Sequence, residues 1–93
     1  MPAALIDLVE MADFLANEDV VLADRFFEAF EETVEIIERN PKIGSLHISR
    51  SAVEVRMWFV KDFEKCLIFY TEHASEVVIL RLIHASRDYT RFI

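Results

Sequence analysis

The apolar residues of this chain change their spacing once, from a helical repeat to strict alternation, which confines the fold to helices first and a sheet after them. Over residues 3–16, Leu5, Leu8, Ala12 and Leu15 recur at helical intervals while Asp7, Glu10 and Asp13 fill the other faces, predicting an amphipathic helix behind Pro2. Asn17-Glu18-Asp19 breaks the pattern, and Asp19 is placed to cap a second helix. The second stripe is Ala23, Phe26, Phe27, Phe30, Val34 and Ile37, with Asp24, Glu28, Glu31, Glu32, Glu35 and Glu38 on the other side. Asn40-Pro41 ends it, because a proline ring disfavours helical geometry in the residue before it. So short a link predicts an antiparallel helical hairpin.

Residues 41–51, with Gly44 and three serines, read as a loop. The period then becomes two: Val53, Val55, Met57 and Phe59 share one face of a strand, and Glu54, Arg56 and Trp58 the other. A charged connection, Lys61 to Lys65, leads to a second strand over 66–72. The turn His73-Ala74-Ser75-Glu76 leads to a third over 77–83. Links this short imply an antiparallel meander. The expected architecture is α+β: one domain over residues 1–93, its helical hairpin packed on one face of a twisted antiparallel sheet of about three strands.

Composition narrows the class. With 54% apolar residues, one Gly and two Pro among 93 residues, the chain can bury one core, and disorder and low complexity are excluded. No apolar run approaches the roughly 18 residues that cross a bilayer, and no basic stretch precedes an apolar one at the start, so a cytoplasmic protein is expected. The net charge of -7 argues against strong direct binding to nucleic acid, whose phosphates demand a basic surface. The charge is uneven: residues 1–40 hold eleven acids against Arg25 and Arg39, whereas residues 41–93 hold eight Lys/Arg against six acids. Acids of this kind solvate exposed helix faces, or await a basic partner segment.

Single residues give less. Cys66 lies in the apolar run Cys66-Leu67-Ile68-Phe69-Tyr70 and reads as a small core hydrophobe. His47 and His73 have no Cys, His or carboxylate at zinc-site spacing, so neither metal nor cofactor is expected. Arg81, His84, Arg87 and Asp88 cluster at the end of the last strand. Counting by two puts Ile79 and Ile83 beside Arg81, and Leu80, Leu82 and His84 opposite, which separates Arg81 from His84. The stripe Phe26, Phe27 and Phe30, joined by Phe14 of the first helix, reads as core. Leu5, Val9, Val20, Val21 and Ile36 exceed what a one-sided hairpin hides and mark a partner site. Trp58 reads first as packing under a helix and second as an interface anchor.

Asp7-Leu8-Val9-Glu10, Ala23-Asp24-Arg25-Phe26 and Asn40-Pro41-Lys42-Ile43-Gly44 are each common segments. Joined in this order to Val60-Lys61-Asp62-Phe63-Glu64-Lys65-Cys66-Leu67-Ile68-Phe69-Tyr70 and to Val78 through Asp88, they resemble the RelE/ParE toxin superfamily, in its ParE branch, over nearly the whole chain. The resemblance implies a toxin neutralised by a ParD-like antitoxin that wraps it, and an attack on DNA gyrase without enzymatic chemistry. Relatives usually carry a strand ahead of the first helix, so either the start codon is assigned too late or the sheet lacks that strand and exposes a backbone edge that could pair with another chain. Cys66 and Thr71 stand where relatives often hold Tyr and Arg.

The alternatives are a RelE-like ribosome-dependent mRNA endonuclease and an inactive or truncated interaction protein. The ribonucleases carry an Arg just before the apolar-Tyr motif of the middle hairpin strand; Leu67 stands there, Arg87 matches a second family arginine, and only Tyr89 lies near their terminal tyrosine. No catalytic residue is therefore assigned. The candidates for target contact are Arg56, Lys61, Lys65, Arg81, His84, Arg87 and Asp88. Those for antitoxin contact are Leu5, Val9, Val20, Val21 and Trp58.

Overall fold

A computed structural model describes residues 2–48 and 52–86, in which two helices precede an open sheet. The first helix, α1 (Pro2–Glu18), and the second, α2 (Val20–Arg39), meet at Asp19, which belongs to neither. Asp19 has extended backbone geometry, and its Oδ1 accepts from the N–H of Val21 at 2.9 Å, the cap expected of an aspartate there. Asn40 ends α2 with its N–H shared between the carbonyls of Ile36 and Ile37.

Four strands follow: β1 (Ser45–Ile48), β2 (Glu54–Val60), β3 (Phe63–His73) and β4 (Glu76–His84), all antiparallel and in chain order across the sheet. The meander is as expected, but the sheet has one strand more than the sequence pattern predicts. Ser45-Leu46-His47-Ile48 is too short to display a repeat and forms because it can pair with β2, Ser45 opposite Met57 and Ile48 opposite Glu54. The connection after β2 is tighter than the charged stretch suggests: Lys61-Asp62 alone turns the chain, Asp62 at φ 66°, so Phe63, Glu64 and Lys65 belong to β3. Ala74 and Ser75, at φ 51° and 67°, form the two-residue turn between β3 and β4.

Cross-strand partners show which face the helices cover. Trp58, Ile68 and Leu82 lie in register, as do Arg56 and Tyr70, and these strand positions face α1 and α2. Between the layers, Phe26, Ala29 and Ile37 of α2 and Ala4 and Ala12 of α1 join Val60, Cys66, Ile68, Tyr70 and Leu82 in one core. The alternation in β2 is as expected, yet its more apolar face lies away from the helices. There Val55, Leu67, Phe69 and Ile83 form a second cluster, with Met57, Phe59 and Leu80 packed against it.

The count by two along β4 fails at Leu80. Phe69 pairs with Arg81 and the next residue, Tyr70, with Ile79, so Leu80 is an extra residue in β4. This bulge places Ile79 against the helix-side core and Leu80 with Ile83 on the other side, opposite to strict alternation. Among the described residues no helix is long and apolar enough to cross a membrane.

Candidate functional site

Of the residues proposed from sequence to contact a target, Arg81 has the clearest surroundings. Its Nε donates to Asp7 Oδ2 at 2.6 Å and an Nη to Asp7 Oδ1 at 3.0 Å, a two-pronged ion pair between β4 and α1. Asp7 Oδ2 also accepts the Leu82 backbone N–H at 3.0 Å. The hydrogen bonds to Asp7 hold the guanidinium of Arg81 above its ordinary, already high pKa.

His84, half-buried at the end of β4, is fixed by the turn that follows. The Ser86 N–H donates to His84 Nδ1 at 3.1 Å, which makes Nδ1 an acceptor and leaves the proton of the neutral ring on Nε2. Ser86 Oγ lies 2.7 Å from the same nitrogen. Arg56 turns into the fold: one Nη donates to the carbonyl of Gly44 at 2.8 Å and to that of Lys42 at 3.3 Å, bracing the segment between α2 and β1. Lys61 and Lys65 flank the start of β3. Lys61 Nζ meets Glu32 at 3.2 Å with both side chains exposed, a pair of small energetic weight, and Lys65 is exposed. Arg87 and Asp88 lie outside the described residues.

Of the residues proposed for antitoxin contact, Leu5, Val9, Val20 and Val21 are all exposed, Leu5 at 61% and Val20 at 69%. Ile36 is exposed too. Trp58 is not on that surface: half-buried in β2, it packs against the core beneath the helices, with its ring centroid 4.6 Å from that of Phe59. Phe14 departs from its sequence-based place in the core. Phe27 departs from it likewise: Phe26 is fully buried and Phe30 partly so, but Phe14 is 58% and Phe27 39% exposed. Each stands one residue, about 100° of helix rotation, from a residue of the inward stripe, Leu15 for Phe14 and Phe26 for Phe27, and that angle is the signal that sets the two apart from Phe26 and Phe30.

The sequence reading also missed Met11 and Phe14 as lining residues. They flank a cavity of about 290 Å³ between α1 and β4, together with Asp7, Glu10, Leu82 and His84. Across the sheet, Leu67 fills its position as buried core with Phe69 and Ile83. Cys66, buried on the helix side, has its thiol pushed up to about 11 by that burial, so it stays protonated at neutral pH. Among the described residues no three His, Cys, Asp or Glu side chains gather where a metal ion could sit.

A family model described as the ParE toxin of type II toxin–antitoxin system, parDE, matches residues 1–89. No curated protein and no solved structure matches the chain.

Proposed function

Since the chain belongs to the ParE toxin family of type II toxin–antitoxin systems, we propose that this toxin works in the cytoplasm by binding DNA gyrase and is silenced by a ParD-like antitoxin. The observation that carries the reading is the family match over residues 1–89. Two features of the fold support binding over RNA cleavage. Arg81 is engaged by Asp7 and His84 by Ser86, so neither stands ready as a phosphate-binding cation or a base. Leu67 places an apolar side chain where the related ribonucleases hold an arginine.

In this reading Lys61, Lys65 and His84, at one end of the sheet, contact the target together with Arg87 and Asp88, while Arg56 and Arg81 hold the surface in shape. Leu5, Val9, Val20 and Val21 supply apolar contact for the antitoxin.

The test is supercoiling of relaxed plasmid by purified gyrase with and without the protein, beside ribosome-dependent mRNA cleavage by the same sample. Loss of supercoiling with intact mRNA is expected. Cleaved mRNA with normal supercoiling moves the protein to the ribonuclease branch, and no effect on either removes gyrase as its target.

A further inference from the structure

Three cavities run into one another around one end of the molecule. The first, about 290 Å³, lies between α1 and β4. The second, also about 290 Å³, shares Met11, Phe14 and His84 with it and continues to the β2–β3 turn. The third, about 360 Å³, shares Asp62 and Phe63 with the second and runs along α2. Together they make a groove that passes from the edge of the sheet, around the turn, to the second helix.

Its chemistry is uneven in a useful way. The floor is apolar, and Phe14 stands in it with more than half its surface open to water. The rim is acidic. Glu10, Asp62, Glu64 and Glu28 line it without a close ion pair among the described residues, Glu10 feeling Arg81 only at longer range, whereas Asp7 and Glu32 are already matched by Arg81 and Lys61. Against these four carboxylates the lining offers Lys65 and Arg25.

We propose that this groove seats the neutralising segment of the antitoxin, and that the segment is basic and amphipathic. Its apolar side chains cover Met11 and Phe14, and its Lys or Arg side chains meet Glu10, Asp62 and Glu64. The inference rests on the toxin reading above. On the β4 edge the Leu82 N–H already donates to Asp7, which removes that donor from strand pairing beside the groove. Since Lys65 and His84 line the same groove, an occupant covers them, and antitoxin and target compete for one end of the toxin.

The experiment titrates the full chain with the purified full-length protein of the adjacent reading frame, at low and high salt. The variants are Glu10→Lys with Glu64→Lys, Phe14→Ser, and a control of equal charge change outside the groove, Glu35→Lys with Glu38→Lys. Circular dichroism melts establish that each is folded. The groove pair is expected to weaken binding roughly tenfold at low salt and less at high salt, and the control pair less than about threefold. Phe14→Ser is expected to weaken it at both. Equal weakening by the two charge pairs, no weakening by the groove pair, or a groove pair that instead disperses a dimer of the chain itself overturns the proposal. Absence of binding by the unaltered chain counts against the toxin reading, not only against the groove.

Discussion

Tyr70 and Gly44 hold each other in place. The Gly44 N–H donates to the Tyr70 hydroxyl at 3.0 Å, and that hydroxyl donates to the Pro41 carbonyl at 2.7 Å, so one buried phenol fixes both ends of the segment between α2 and β1. A Cβ on residue 44 would lie 2.8 Å from both the Tyr70 oxygen and the Met57 carbonyl, closer than such atoms approach. Tyr70→Phe is expected to cost about 1–3 kcal/mol, by leaving the Gly44 N–H and Pro41 carbonyl without their partner. Gly44→Ala is expected to cost at least as much, and to release β1 first. Urea melts of both variants, with amide exchange at residues 45–48, measure this; a Tyr70→Phe melt matching the parent would show that the hydroxyl does not brace the loop.

The Asp7–Arg81 pair ties the first helix to the last strand. Asp7→Ala removes the carboxylate partner of Arg81 and the acceptor of the Leu82 N–H together, and is expected to destabilise by about 1–3 kcal/mol. Arg81→Ala leaves Asp7 its bond to Leu82 and is expected to cost less. Because Arg81 is raised above an already high pKa, its share of the stability is present below that value and lost only as pH climbs through it, beyond the usual working range. Equilibrium unfolding of the two single variants and the double variant gives the coupling directly, and a coupling near zero would remove the pair from the account.

Thr33 makes the contact between α2 and the β2–β3 turn. Its buried hydroxyl donates to the Ala29 carbonyl at 2.7 Å and accepts the Lys61 N–H at 2.9 Å. Thr33→Val keeps the volume and strands the Lys61 N–H, for an expected loss of about 1–3 kcal/mol, whereas Thr33→Ser keeps both bonds and is expected to lose less. Thermal denaturation of the two side by side distinguishes a lost hydrogen bond from lost packing.

Stability should fall in alkali. The Cys66 thiol titrates at about 11 in the fold against an ordinary 9.0, so between these values the unfolded chain gives up a proton that the folded chain keeps. Folding is favoured fully below pH 9 and progressively less up to about 11. The Tyr70 phenol, raised above 10.0 chiefly by burial, extends the loss upward. Denaturant midpoints from pH 8 to 11 check the slope, and Cys66→Ala should flatten its lower part even though the substitution lowers stability overall.

Surface and core apolar residues of the helices should separate in their effects. Leu5→Asp and Val9→Asp alter exposed side chains, so melting temperatures are expected to move little while antitoxin affinity falls. Phe26→Ala, at a fully buried site, is expected to cost about 3–5 kcal/mol. Unchanged affinity in both surface variants would move the antitoxin off this face.

What the sequence alone determined is local. Helical spacing, the aspartate before α2, the proline after it and alternation in β2 each act through neighbouring backbone atoms, so they mark two helices and then strands, in the order found. Exposure of Leu5, Val9, Val20 and Val21 was legible in the same way, because a helix can turn only one stripe inward. Tertiary structure decided the rest. Four residues become β1 because β2 offers them an edge, and the bulge at Leu80 inverts the faces that counting by two assigns. Arg81 finds Asp7 across 74 residues, and Phe14 stands open beside a groove built from α1, β3 and β4. These arrangements depend on which surfaces pack together after the elements form, and periodicity within one element carries no information about the surface opposite it.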